Sequence, residues 1–278
     1  MSVAYYSRAA TEEFWSEHWR GSSLGAALRV ALASPLTDLI VAALPPPGAR
    51  VLEAGCGLGQ YVILLRERGY RATGADWSGE SLRACRREAP GAPLSVMNLR
   101  QLGFRRAAFV AYLSLGVVEH DPEGPDAILG EAYRVLEPGG VLIVSVPYVN
   151  AVRSLAGPWI RYQNDRIRRA GGQFYQFTFS RGEIRAAIER NGFTLLRATP
   201  YDPARILRHA WSRMARAARV GARPRKGRGD DVRSTLGGAV RPLVRRSAAL
   251  GAARRLLYTR LALFAFGHMI LCVAVKRR

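Results

Sequence analysis

The chain has 278 residues, 49% of them apolar, and carries 42 Lys or Arg against 21 Asp or Glu for a formal charge of +21. That length and apolar content suit one large domain, or one domain with an appendage. Three cysteines (Cys56, Cys85, Cys272) without paired spacing argue against a disulfide framework and for a reducing compartment. They and the four histidines show no metal-ligand spacing, so no metal site is expected.

Residues 1–45 read as an N-terminal helical cap, with Phe14, Trp15 and Trp19 close together and a helix over 24–44 that Pro45-Pro46-Pro47-Gly48 stops. The start lacks a basic stretch followed by an apolar core, so no secretory signal is expected. A strand is predicted at 50–54, a helix at 59–68 and a strand at 71–75 closed by Asp76. A helix at 79–88, capped by Ser78 or Gly79, leads to a short strand at 94–97 ending on Asn98. The apolar run 109–115 is a central strand, followed by Gly116 and the pair Glu119-His120. A helix over 125–135 stops at Pro138-Gly139-Gly140, and 141–146 is another apolar strand, ended by Pro147. A helix at 180–190, a sixth strand at 193–198 and a last strand at 269–275 complete the order. Short apolar strands alternating with helices mark a parallel sheet covered on both faces. The most apolar stretch, 261–275, is broken by Gly267-His268 and falls short of the ~20 residues a spanning helix needs.

The densest information lies at 51–60. An apolar strand leads into Glu53, then Gly55, Gly57 and Gly59, then an apolar helix from Tyr61. Glycine suits positive φ and close approach, and a helix N-terminus beside the turn offers free N–H groups. The dinucleotide fingerprint is G-x-G-x-x-G, but position 60 is Gln60 where that pattern needs glycine. A carboxylate at Glu53 would repel a pyrophosphate and would suit a cationic amino group. A nicotinamide enzyme is therefore the weakest reading.

Glu53-x-Gly55-x-Gly57-x-Gly59 resembles motif I of the class I S-adenosylmethionine-dependent methyltransferases, in the small-molecule group that includes quinone-biosynthesis enzymes. Segments 113–120, 136–147, 177–184 and 191–193 resemble later landmarks of that family in the right order. The resemblance implies an α/β, Rossmann-like, doubly wound seven-stranded sheet, mostly parallel with an antiparallel last strand and helices on both faces. It implies a methyltransferase core at 46–200, interrupted by a basic helical insert at 201–260, with 261–278 returning as a helix end and the last strand. It also implies S-adenosyl-L-methionine as cofactor. Glu53, Gly55, Cys56, Gly57 and Gly59 would wrap its methionine part, Asp76 would hold the ribose and Trp77 would lie against the adenine. Asn98 stands where the family usually has aspartate, and its side-chain oxygen can still accept a hydrogen bond. Leu99, Leu115 and Glu119 would border the cofactor.

Methyl transfer from a sulfonium needs alignment and, where the acceptor holds a proton, a base. His120, at the exit of a central strand, is the candidate base; the alternative is that Glu119-His120 only shapes the loop. Residues 148–177 combine aromatics with arginines and would overhang the site as a pocket for an apolar or anionic acceptor, or pack as a lid on their own aromatics. Between 203 and 260 there are 16 Lys or Arg against Asp230 and Asp231, which carries 14 of the 21 net charges. Projecting 205–220 as a helix puts Leu207, Trp211 and Met214 on one side and arginines on the other, with a basic loop to follow at 221–238. That pattern suits an anionic membrane surface, or a helix packed on its own domain; nucleic acid is the weaker partner for want of a recognisable binding module. The expectation is a cytoplasmic methyltransferase, peripheral at the membrane, acting on a small-molecule or lipid-like acceptor. Its rivals are an RNA or protein methyltransferase using the Arg-rich insert, and a catalytically silent scaffold of the same fold.

Overall fold

The computed structural model describes residues 3–203 and 258–277; the basic helix expected at 205–220 and the loop at 221–238 lie outside them. Seven strands form one sheet: β2 (Arg50–Ala54), β3 (Arg71–Asp76), β4 (Leu94–Val96), β5 (Phe109–Leu115), β6 (Leu136–Pro147), β8 (Phe193–Tyr201) and β9 (Met269–Lys276). Their order is β4-β3-β2-β5-β6-β9-β8, with β9 antiparallel to both its neighbours and the other pairs parallel. Side chains alternate between two cores. Leu52, Tyr112, Leu142 and Cys272 face α6 (Asp126–Val135) and α9 (Arg181–Arg190). Val51, Leu113, Ile143 and Leu271 face α2 (Leu24–Ala33), α3 (Pro35–Val41), α4 (Gln60–Glu67) and α5 (Gly79–Glu88). Burial on both sides is what the unbroken apolar runs of the central strands require.

Three stretches differ from the sequence expectation. The single helix expected over 24–44 is two helices bent 78° apart, because Pro35 opens α3 and the Ser34 hydroxyl accepts the Leu36 amide as its cap. The N-terminal cap is not purely helical. Besides α1 (Glu12–Trp19) it contains β1 (Val3–Ser7), paired antiparallel with β7 (Gln173–Thr178) in a second, two-stranded sheet. The strand expected at 141 starts at Leu136, which already pairs with Phe109 across from β5. Residues 148–177 hold α7 (Ala151–Leu155) and α8 (Gly157–Arg169), and α10 (Arg260–Phe266) precedes β9. Among the described residues no single helix is long and apolar enough to cross a membrane.

One end of the sheet is fastened by a buried cation. Lys276 Nζ donates to the carbonyls of Tyr133 (2.6 Å) and Leu136 (2.7 Å), closing the C-terminal end of α6, and lies 4.2 Å from the centre of the Tyr133 ring. A cation at a helix C-terminus meets the negative end of the dipole. Lys276→Met should lower unfolding free energy by about 1.5–3 kcal/mol, the range for hydrogen bonds to a charged group, whereas exposed Arg277→Met should change it by less than about 0.5 kcal/mol. Urea titration of both variants measures the difference.

Candidate active site

After β2 the chain steps outward through β3 and β4 and then returns to β5 on the other side of β2. Such a reversal opens a crevice at the carboxyl ends of the strands, where doubly wound sheets bind ligands. A cavity of about 870 Å³ lies there, walled also by residues 9–12, Trp15 and Trp19 of the N-terminal segment. Its size falls in the range of about 300–1,000 Å³ usual for small-molecule sites. Glu53, Gly55, Cys56, Gly57, Asp76, Trp77, Asn98, Leu99, Leu115 and His120 line it. Gly59 and Glu119 do not. Gly59 caps α4 with φ 70° and turns toward Cys85 and Leu94, while Glu119 is buried in the 3-10 turn Val118–His120.

The glycine turn is closed on its own protein. Gly55 N (2.7 Å) and Cys56 N (3.1 Å) donate to the Ala75 carbonyl, Gly57 N donates to Asp76 Oδ2 (2.8 Å), and Gly59 N donates to the Cys56 carbonyl (2.8 Å). These amides are engaged, so the turn is not the open N–H cradle a phosphate needs. Two glycines are also required by their neighbours. At φ 78° a Cβ on Gly55 would fall 2.3 Å from Val117, and at φ 52° one on Gly57 would fall 2.8 Å from the Trp19 ring.

Two carboxyl groups sit at this turn. Burial pushes Glu53 well above the usual carboxylate range, with the charge of Asp76 adding to it and the Val62 backbone amide opposing it. Glu53 Oε2 is buried with no hydrogen-bond partner. Asp76 is raised by burial too, while backbone amides including those of Ser78 (2.9 Å to Oδ1) and Gly57 restrain the shift; each oxygen keeps a further lone pair. A buried acid with one unpartnered oxygen, a second acid and a turn whose amides are engaged fit a cationic cofactor that carries no phosphate. S-adenosylmethionine, with its ammonium and ribose hydroxyls, meets that description: Glu53 would hold the ammonium, Asp76 the ribose and Trp77 the adenine face. Asn98 Oδ1 already accepts the Arg100 amide (2.9 Å), leaving one lone pair and the side-chain NH2 for the adenine. Cys56 is no nucleophile here, since burial pushes its thiol well up.

His120 is held from above the sheet. Its Nδ1 lies 2.9 Å from the Tyr175 carbonyl, which can only accept, so Nδ1 carries the proton and Nε2 is left as the acceptor. The Trp15 and Tyr175 rings pack edge-on against it at 5.0 Å each. Burial lowers its pKa, the Tyr175 hydrogen bond opposing that shift, so the ring is neutral at pH 7. Glu119 next to it is pushed up to about 8 by burial.

Several lining residues were not singled out in the sequence as site residues: Trp15, Trp19, Tyr61, Ser145, Tyr201 and Met269. Trp15 and Trp19 stand four apart in one helix, a spacing that marks a shared face and carried a legible signal. Ser145, Tyr201 and Met269 come from β6, β8 and β9, and only strand register brings them together: Ser145 pairs with Leu271, Tyr201 with Met269, and the Ser145 and Tyr201 hydroxyls hydrogen-bond. Of the aromatics in 148–177, Phe174 alone is among the described lining residues; Trp159 and Tyr162 face outward.

A raised Glu53 makes cofactor binding proton-linked. Without cofactor the acid holds its proton above the ordinary pKa, and an ammonium beside it favours the carboxylate, so binding releases a proton between the two pKa values. Affinity for S-adenosylmethionine should therefore fall about tenfold per pH unit once pH drops below the cofactor-free pKa of Glu53. Calorimetry in two buffers of different ionisation heat should show the released proton, and Glu53→Gln should abolish it.

Residues 52–144 match the family described as "Methyltransferase domain". The malonyl-[acyl-carrier protein] O-methyltransferase of Serratia marcescens is 32% identical over 120 residues, 43% of this chain and 47% of that protein. The ubiquinone biosynthesis O-methyltransferase of Xylella fastidiosa is 32% identical over 142 residues, 49% and 55% of the two chains. The chain thus spans about half the length of these curated relatives. Among solved structures, a S-adenosylmethionine-dependent methyltransferase from Methanosarcina mazei superposes with a TM-score of 0.55 at 16% identity, covering 86% of this chain and 97% of that one, a likeness that speaks for the fold. With the acid-glycine turn, the sheet order and the matched segment in agreement, residues 52–144 are those of a class I S-adenosylmethionine-dependent methyltransferase domain.

Proposed function

We propose that this protein transfers a methyl group to a hydroxyl of a small, largely apolar, lipid-like acceptor. The observation that carries this reading is the cavity lining other than the glycine turn and its two acids. Trp15, Trp19, Leu36, Phe174 and Met269 supply apolar wall, Tyr61, Ser145 and Tyr201 supply hydroxyls, and neutral His120 supplies an acceptor nitrogen. Arg100 is the one Lys or Arg among the described lining residues, and it is paired with Asp121 (2.7 Å) and Glu123 (2.7 Å). A wall with no unpaired Lys or Arg among those residues gives a phosphate-rich acceptor such as RNA nothing to hold it. The two curated relatives above are O-methyltransferases by name, one of them in ubiquinone biosynthesis, which supports an oxygen acceptor on a lipid-like body.

Bound S-adenosylmethionine supplies an activated methyl on a sulfonium. The chain's own part is to align the acceptor, exclude water with the two tryptophans and take the hydroxyl proton on His120 Nε2. The Tyr175 carbonyl fixes the tautomer that leaves Nε2 free. A silent scaffold would keep the cofactor contacts and lack turnover. The membrane contact proposed through 205–220 and the peripheral, cytoplasmic setting that goes with it are part of the same reading, and a lipid-soluble acceptor gives them a purpose.

The test is a panel of acceptors assayed for S-adenosylhomocysteine release: isoprenoid-tailed catechols and hydroquinones, acyl-carrier-protein esters, tRNA and a histone-like peptide. Turnover is expected with the first group only. With the responding acceptor, His120→Ala should lower kcat by about 10²–10⁴-fold and leave S-adenosylmethionine affinity unchanged. Because the pKa of His120 is lowered, wild-type kcat should stay level through pH 6.5–8 and fall only below the ordinary histidine value. Full turnover by His120→Ala would remove the base role, and methylation of tRNA alone would replace the small-molecule reading.

A further inference from the structure

Eight of the thirteen large apolar side chains most exposed among the described residues lie on α7, α8 and α10. Leu155 is 85% and Leu261 82% exposed, and Val152, Trp159, Tyr162 and Phe264 join them. These helices form one surface. Asn150, which caps α7, donates to the Gly267 carbonyl at the end of α10 (2.9 Å), and Arg153 of α7 donates to the carbonyls of Tyr148 and His268. α8 follows α7 after Ala156 and buries its opposite side, Gly157 and Asn164, the latter accepting the Tyr6 amide of β1. What remains outward is Trp159 and Tyr162 at helical spacing, with Arg166 over the Tyr162 ring at 6.0 Å. Solitary exposed apolar residues are ordinary, but a contiguous group of this size marks a contact surface.

The charge around it selects the partner. Arg161, Arg166, Arg168 and Arg169 are exposed on α8 against one acid, Asp165, and Arg260 opens α10. Both ends of a segment that carries 15 Lys or Arg meet the described fold here, at Pro203 after β8 and at Tyr258 before α10. Trp and Tyr beside apolar residues, with arginines among them, is the composition of a surface that lies in a lipid interface. A protein partner of matching shape would have no reason to need so large a surplus of one sign.

We propose that α7, α8 and α10 form a docking face that seats on an anionic lipid bilayer, the apolar side chains entering the interface and the arginines meeting lipid phosphates. The face adjoins the acceptor half of the cavity through backbone: the Tyr148 amide donates to the His268 carbonyl (2.9 Å), the His268 amide donates to the Tyr201 carbonyl (3.0 Å), and Tyr201 and the next residue, Met269, line the cavity. Docking rests on the lipid-like-acceptor reading for its purpose alone, and either can fail without the other.

The experiment is co-sedimentation of the full chain with phosphatidylcholine vesicles, with and without phosphatidylglycerol. Binding is expected to the anionic vesicles, and to weaken as salt rises. Leu155→Glu with Leu261→Glu should cut partitioning about a hundredfold or more while thermal stability and S-adenosylmethionine titration stay as in wild type. No binding by wild type, unchanged binding by the double variant, or a protein dimer dissolved by the variant without any vesicle binding would each overturn the proposal. A second readout covers the case in which the double variant fails to fold: brominated lipid should quench wild-type tryptophan fluorescence, and Trp159→Phe should lose part of that quenching. Quenching undiminished in Trp159→Phe overturns the docking face; a site that docks yet methylates none of the panel leaves it standing and removes the acceptor class.

Discussion

Asp76 accepts the Gly57 amide on one carboxylate oxygen and the Ser78 amide on the other, and the Gly55 and Cys56 amides close on the neighbouring Ala75 carbonyl, so the end of β3 holds the glycine turn in place. Everything at the cofactor end follows from this link. It sets the left-handed backbone at Gly55 and Gly57, brings the turn against Val117 and Trp19, and leaves Glu53 buried beside a second acid. Without Asp76 two buried amides would lose their acceptor, at about 1–3 kcal/mol each. The same link decides the ligand's charge. A turn whose N–H groups are turned inward, with two acids next to it, repels phosphate and welcomes an ammonium, against the sign of a chain that carries +21 overall.

The sheet was legible because its strands are buried on both faces. Val51-Leu52, Tyr112-Leu113 and Leu142-Ile143 are apolar at successive positions, and the glycine and proline stops between them are local signals that need no tertiary knowledge. Their boundaries shifted by few residues. That Glu53, the glycines and Asp76 would come together was legible for a related reason: they stand at strand ends and in the turn between them, where backbone geometry is written in residue type. What the glycines are for shifted in part. The sequence suggested positive φ or room for a ligand; Gly55 and Gly57 do take positive φ, and their missing Cβ leaves room for Val117 and Trp19.

The acceptor side was far less legible. Val3–Ser7 is too short to announce itself as a strand, and its partner, Gln173–Thr178, lies some 170 positions along the chain. The aromatic-rich stretch 148–177 looked by composition like a pocket wall or a lid packed on its own aromatics, but composition does not say which way a helix turns. Burial of Gly157 and Asn164, the latter bonded to Tyr6 of β1, decides that, and it sends Trp159 and Tyr162 outward. Ser145 and Tyr201 meet because β9 lies between β6 and β8, a crossing that no local pattern reveals. Cavity-lining residues that depend on register between distant strands are the ones a single sequence hides best.

This division has a mechanistic consequence. The cofactor end is built into the main sheet, while the candidate base is oriented by the small one: His120 leaves β5, yet its tautomer is set by the carbonyl of Tyr175 on β7 and its ring is packed by Trp15 of α1. β7 in turn is paired only with β1 in its sheet. Two strands without a third have little stability of their own, so the small sheet depends on α8, the N-terminal helices and whatever fills the cavity beneath. The cofactor site can therefore be complete while the base is not, and acceptor binding against Trp15 and Phe174 would brace the layer that aims Nε2. Specificity and proton transfer then share one structural cause. In the proposed reaction, an acceptor that fails to fill the aromatic part of the cavity would leave His120 poorly oriented, and discrimination would fall on turnover before it falls on affinity.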